Sequence, residues 1–204
     1  MNTSKAKQMF EEALLYCKKN YKSELKWAKS INQDTFNRLT ARGFLEQYCH
    51  VVYVTGFKVS IIEDKFSRLR KAFKNFELES LAGMRSISEV LSIFNNKRKA
   101  ECFLKGSKSI ANEGFQKFKI RLKEQGIDVL ESLPGIGPIT KHHLAKNIGF
   151  MDEAKPDRWL VRAAKSCNTT VNELVTFLSK EYDMSRHTID VVLWRHGADN
   201  KLGL

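Results

Sequence analysis

A chain of 204 residues with 35 Lys and Arg against 23 Asp and Glu carries a formal net charge of +12. That length holds one domain or two small lobes, with a core large enough to fold without metals or disulfides. The charge favours a polyanionic partner, nucleic acid ahead of an anionic membrane, and no apolar run approaches the roughly 18 residues of a membrane span.

The first segment, Thr3 to Ser30, reads as one long basic amphipathic helix. Phe10, Leu14, Cys17, Tyr21 and Leu25 form its buried stripe, with Lys18, Lys19, Lys22 and Lys26 on the solvated face. Asp34 is the expected N-cap of a short helix through Leu39. An apolar helix over 41–55 follows, with Phe44, Leu45, Tyr48, Val51, Val52 and Val54, and ends at Gly56. Residues 59–73 continue as helix, with Ile61, Ile62, Phe66 and Leu69 as the buried set, and 71–76 lead into a loop. Ser86-Ile-Ser-Glu89 has the spacing of a capping box opening a helix at 90–94. A charged helix over 97–112 is closed by Gly114 and the next, 115–125, by Gly126. Thr170-Val-Asn-Glu173 is a second capping box, starting a helix through Tyr182. The last helix starts at Ser185, carries Ile189, Val192, Leu193 and Trp194, and ends at Gly197. No period-two pattern marks a strand. The fold class is all-α, with about ten helices.

The backbone is most tightly specified between Leu133 and Asp157. All three prolines (Pro134, Pro138, Pro156) lie there, with Gly135, Gly137 and Gly149. A short helix over 127–133 meets a second over 140–148, where Leu144, Ala145 and Ile148 share a face, and Pro138 suits the first turn of the second. The turn between them, Leu133-Pro-Gly-Ile-Gly-Pro-Ile-Thr140, leaves backbone amides at a helix mouth, a site for a phosphate. An ordinary interhelical turn has the same composition.

The hairpin, followed by Lys155-Pro-Asp157 and the helix Trp159-Leu-Val-Arg-Ala-Ala164, resembles the helix-hairpin-helix DNA glycosylase superfamily. The two motifs are more specific together than apart, and the likeness extends weakly from about Phe44 onward. The resemblance implies a two-lobed helical architecture with a cleft between lobes: residues 1–35 with 150–204, carrying the catalytic aspartate, and residues 36–149, with the hairpin at 127–148. It implies duplex DNA bearing an altered base as the partner of a monomeric enzyme that flips the base out and hydrolyses its N-glycosidic bond. Asp157 takes the place of the catalytic carboxylate. Gly135, Ile136, Gly137, Ile139, Thr140 and Lys141 form the backbone clamp, with Lys141 on a phosphate. The pair Lys99-Ala100 falls in a helix the family places near DNA. Tyr53, Trp159 and His50 lie near the expected base pocket, and Phe57 or Lys58 at the place of a wedge.

Bifunctional members of that family carry a nucleophilic lysine eighteen residues before the aspartate. Here that position is Ile139, which cannot form a Schiff base, so a monofunctional, water-using enzyme that resists borohydride trapping is expected. No cofactor is expected: Cys17, Cys49, Cys102 and Cys167 are scattered, and no cysteine follows Cys167 to hold the iron–sulfur loop of some relatives. His142 and His143 diverge by about 100° on a helix, a poor metal pair. Met1 to Gln8 is polar with no apolar run behind it, which reads as a cytoplasmic protein, nucleoid-associated in a prokaryote. Two alternatives remain: a clamp without chemistry, and a basic adaptor for RNA or protein. Asp157 at the counted spacing favours the enzyme.

Overall fold

The computed structural model describes residues 1–200. The helices in chain order are α1 (Thr3–Asn20), α2 (Lys22–Ser30), α3 (Gln33–Asn37), α4 (Ala41–Val54), α5 (Val59–Ala72), α6 (Leu78–Ala82), α7 (Ser88–Ile93), α8 (Lys97–Glu113), α9 (Phe115–Gln125), α10 (Thr140–Asn147), α11 (Arg158–Ser166), α12 (Val171–Tyr182) and α13 (Arg186–Asn200), with 3₁₀ turns at Lys74–Phe76 and Ile127–Ser132. The described residues contain no strand. None of these helices is long and apolar enough to cross a membrane.

The chain divides into two compact units. One joins Met1–Asn37 to the chain from Ala145 onward; the other is Arg38–Leu144, so the boundary falls inside α10. The first unit is built around α13, which packs against α1, α2, α11 and α12. Phe10, Leu160, Leu174, Leu178, Ile189 and Val192 are fully buried there, each stabilising the fold by roughly 1.5–3 kcal/mol. In the second unit α4 and α8 form the centre. Phe44, Tyr48, Phe73, Phe76, Phe103 and Phe118 are sealed from solvent, with ring centroids 4.6 Å apart for Phe73 and Phe103 and 5.1 Å for Phe44 and Phe118. Tilted and edge-to-face pairs of this kind add to the burial itself.

Several local expectations are corrected. The N-terminal helix is broken at Tyr21 (φ −135°, ψ 43°), so α1 and α2 are separate, though Phe10, Leu14, Cys17 and Leu25 are buried as the stripe requires. Asn32, not Asp34, caps α3: its side-chain oxygen accepts from the amides of Asp34 and Thr35. Ile61 is 41 % exposed and outside the buried set. No capping box forms at Ser86; Ile87 is the N-cap of α7, and the Ser86 hydroxyl pairs with Ser88 instead, accepting from its amide at 3.2 Å and lying 3.0 Å from its hydroxyl. The stretch after Phe76, expected to be a loop, holds α6, entered through the 3₁₀ turn at Lys74–Phe76. Gly197 does not end the last helix, which runs on to Asn200. The box at Thr170 and Glu173 is formed in full, and Gly114 and Gly126 close their helices with φ of 85° and 81°.

Candidate functional site

Asp157 is the N-cap of α11. Its Oδ1 accepts from the amides of Trp159 (2.9 Å) and Leu160 (3.3 Å), the donors a helix start leaves unpaired. Oδ2 faces the Lys155 ammonium at 3.8 Å. The carboxylate side chain is only 12 % exposed. Burial raises its pKa above the ordinary aspartate value; the Lys155 charge opposes that rise, and Asp190 adds to it. The Lys155 ammonium is itself pushed down, first by burial.

The segment that carries Asp157 is sewn to α13 at two points. Asp152 caps α13 from outside the helix, accepting from the Arg186 and His187 amides at 3.0 Å each. Asp190, buried on the next turn, returns the favour by accepting from the Lys155 amide at 2.9 Å. The same Asp190 Oδ2 meets the Lys146 ammonium at 2.8 Å, and both side chains are almost sealed from solvent. Two charges buried this deeply hold a fixed geometry, because breaking the pair strands one of them. The direction of Asp157 is thus set by its own helix and by a brace reaching it through the backbone of Lys155.

Sequence reading missed Asp190, Lys146 and Asp152. A signal was present for the first: Asp190 stands inside the run Ile189-Asp-Val-Val-Leu193, and an acid flanked by apolar residues is buried only with a partner. Which cation supplies that partner is a tertiary fact.

In the other unit the hairpin turns at Gly135, with φ of +87°. An added Cβ there would meet Val52 Cγ2 at 3.2 Å and Cys102 Cβ at 3.3 Å, so glycine is required twice over. The Tyr48 hydroxyl holds the turn from beneath, 2.6 Å from the Pro134 carbonyl and 3.1 Å from that of Cys102. Ile136 is buried beneath the turn, and Ile139 is 47 % exposed at its surface. Two clamp expectations need correction. The Gly137 amide is not free, because it donates to Thr140 Oγ1 at 2.7 Å. Lys141 does not offer a free charge to phosphate: its ammonium is held at 2.5 Å by both Asp128 and Glu131.

Of the pocket and wedge residues, Tyr53, Phe57, Lys58 and His50 belong to the unit Arg38–Leu144 and Trp159 to the other. Tyr53 is fully buried, its ring 5.6 Å from Phe94 and 6.2 Å from Phe73, and its hydroxyl has no hydrogen-bond partner. Phe57 is 42 % exposed beyond the end of α4, edge-on to Phe94 at 5.1 Å, and Lys58 is exposed at the start of α5. His50 lies edge-on to Phe66, 5.4 Å between rings, and burial takes its pKa down to about 4. Trp159, 9 % exposed, carries the guanidiniums of Arg158 and Arg162 at 4.8 and 5.1 Å from its ring centre. Lys99, expected near DNA, instead donates to the carbonyls of Val52 and Thr55 and closes the C-terminal end of α4. The described residues contain no group of three His, Cys, Asp or Glu placed to hold a metal ion.

Compared with protein-family models, curated proteins and solved structures, the chain matches none.

Proposed function

We propose that the protein is a DNA N-glycosylase that hydrolyses the N-glycosidic bond of an altered base and leaves an abasic site. One observation carries the reading. Asp157, at the place where the glycosylase resemblance puts its carboxylate, is desolvated, aimed by two helix amides and partnered by a lysine. A plain N-cap needs neither the burial nor the brace. Bond cleavage leaves oxocarbenium character at the sugar C1′, and a fixed carboxylate in a low-dielectric site stabilises that charge without reorganising. The same carboxylate can orient the attacking water. The hairpin supplies backbone contacts that position the duplex without reading sequence. Lys141, neutralised by two acids, has no part in this version of the clamp. The two-lobed architecture of the glycosylase family is part of the proposal, as is the absence of a Schiff-base step at Ile139.

The test is mass spectrometry of free bases released from alkylated, deaminated, oxidised and phage-modified DNAs, with wild type and Asp157→Asn side by side. The expected result is one base class released by wild type, and a loss of at least about a hundredfold in the variant, which keeps the cap acceptor but not the charge. Duplex binding should survive. No release from any DNA, with binding intact, would leave a helix-hairpin-helix module that binds without chemistry.

A further inference from the structure

The junction of α1 and α2 presents a row of lysines that meets no carboxylate among the described residues. Lys22, Lys26 and Lys29 recur at i, i+4 and i+7 of α2, and Lys18 comes from the last turn of α1. All four are exposed, and with Leu25 they line a shallow groove of about 410 Å³. The single acid between Lys18 and Lys29 is Glu24, and both its oxygens are taken by Arg195, at 2.8 and 2.9 Å. Among the described residues none of the four lysines lies within ion-pair distance of a carboxylate, whereas Lys7, Lys97, Lys141 and Lys146 each have at least one.

Like charges gathered along one groove repel one another, and an ordinary surface intersperses acids among them. A polyanion relieves that repulsion. The spacing suits a row of phosphates. Lys22 to Lys29 spans about 10 Å of helix at 1.5 Å per residue, enough to meet more than one phosphate of a strand. A membrane surface fits poorly, because a helix lying on lipid must insert an apolar face. The apolar side of α2 is already committed: Leu25 and Ala28 are buried, and Trp27 packs edge-on to His187 at 5.1 Å.

We propose that the lysine groove between α1 and α2 is a tracking site for the backbone of double-stranded DNA, holding phosphates as point charges and reading no bases. The choice of DNA as the polyanion rests on the glycosylase reading; the groove itself does not. Lysine suits the role, since a compact ammonium on a flexible stem binds phosphate without demanding one geometry.

The experiment is fluorescence anisotropy of a short unmodified duplex over a series of salt concentrations. Wild type is compared with Lys22→Ala/Lys26→Ala and with a control pair, Lys105→Ala/Lys180→Ala, which removes equal charge from exposed positions elsewhere. Each phosphate contact contributes about 0.9 to the slope of log K against log salt, so the groove pair should lower it by about 1.8. Melting curves establish that all variants are folded. A fall in slope confined to the groove pair supports the site. An unchanged slope, an equal fall in the control, or no duplex binding by wild type overturns it, as does a groove-dependent affinity for anionic vesicles with the DNA slope intact. Base release by the same proteins separates the two proposals. Release by wild type with an unmoved slope removes the groove alone, and a groove-dependent slope with no base released removes the enzyme alone.

Discussion

At the residue scale, Asp157 sits in a conflict that its neighbours only partly resolve. Burial pushes its pKa up, while Lys155 and the two α11 amides pull it down. Catalysis in the proposed reaction needs the ionised form. The acid limb of kcat/KM should therefore lie above the ordinary aspartate value of about 3.9. Lys155→Gln removes the largest opposing contribution, so the limb should move to higher pH, and Lys155→Arg should bring it back. A role confined to packing would lower the rate at every pH and leave the limb in place, which a pH–rate profile of the three proteins distinguishes. The stability sign runs the other way. A raised folded pKa means that the ionised group costs stability, a cost present above the folded pKa and relieved as pH falls through it. Asp157→Asn should accordingly melt within a few degrees of wild type at neutral pH while losing activity. A large drop in its melting temperature would place Asp157 in the fold instead of the chemistry.

At the element scale, the hairpin depends on Tyr48. Its hydroxyl is the donor beneath the Pro134 carbonyl, and the ring is fully buried. Tyr48→Phe leaves that carbonyl without its partner and should cost about 1–2 kcal/mol, a melting shift of a few degrees, with weaker duplex binding as the turn loosens. An unchanged melt and affinity would mean that the turn needs no support from below. The elements also show what sequence could and could not convey. Capping at Thr170 was legible because donor, acceptor and spacing all lie within four residues. The same spacing at Ser86 formed no box, because Ile87 took the cap position and the Ser86 hydroxyl turned to Ser88. The break at Tyr21 carries no Gly or Pro. Beside it, the Tyr21 hydroxyl reaches Asp199 at 2.5 Å and the Arg195 guanidinium lies 4.3 Å from its ring, contacts from residues far along the chain. Lys141 and Lys99 fail for a related reason. A lysine in a sequence looks like a free charge, and only the folded neighbours show that Asp128, Glu131 or a helix end has already claimed it. Asp157 was legible because its local role, capping, and its proposed role share one position; the Asp190–Lys146 brace was not, because it closes across 44 residues.

At the scale of the whole molecule, each unit holds a histidine whose charged form its surroundings disfavour, one sealed from solvent and one half-buried. In the unit built on α13 it is His187, 1 % exposed, with neither ring nitrogen hydrogen-bonded and its pKa held down to about 2 by burial and then by the Lys146 charge. In the other it is His50, held down to about 4 by burial. Both folded values lie below the unfolded value of about 6.5, so the folded state binds fewer protons than the unfolded one. The stability they contribute is fully present above pH 6.5 and is lost as pH falls, until His50 levels off near 4 while His187 continues downward. The raised pKa of Asp157 acts in the opposite sense and offsets part of the loss. Each histidine should cost about 1–2 kcal/mol at pH 5 relative to neutral pH, and the protein should melt at a clearly lower temperature there. His187→Gln cannot take up the proton and should shrink the difference between pH 7 and pH 5, even if it melts lower at both. Melting curves of wild type and variant at the two pH values check this. An undiminished difference in His187→Gln would mean that His187 is protonated in the folded protein, and that the ring, set between Trp27 and the charge of Lys146, has an acceptor after all.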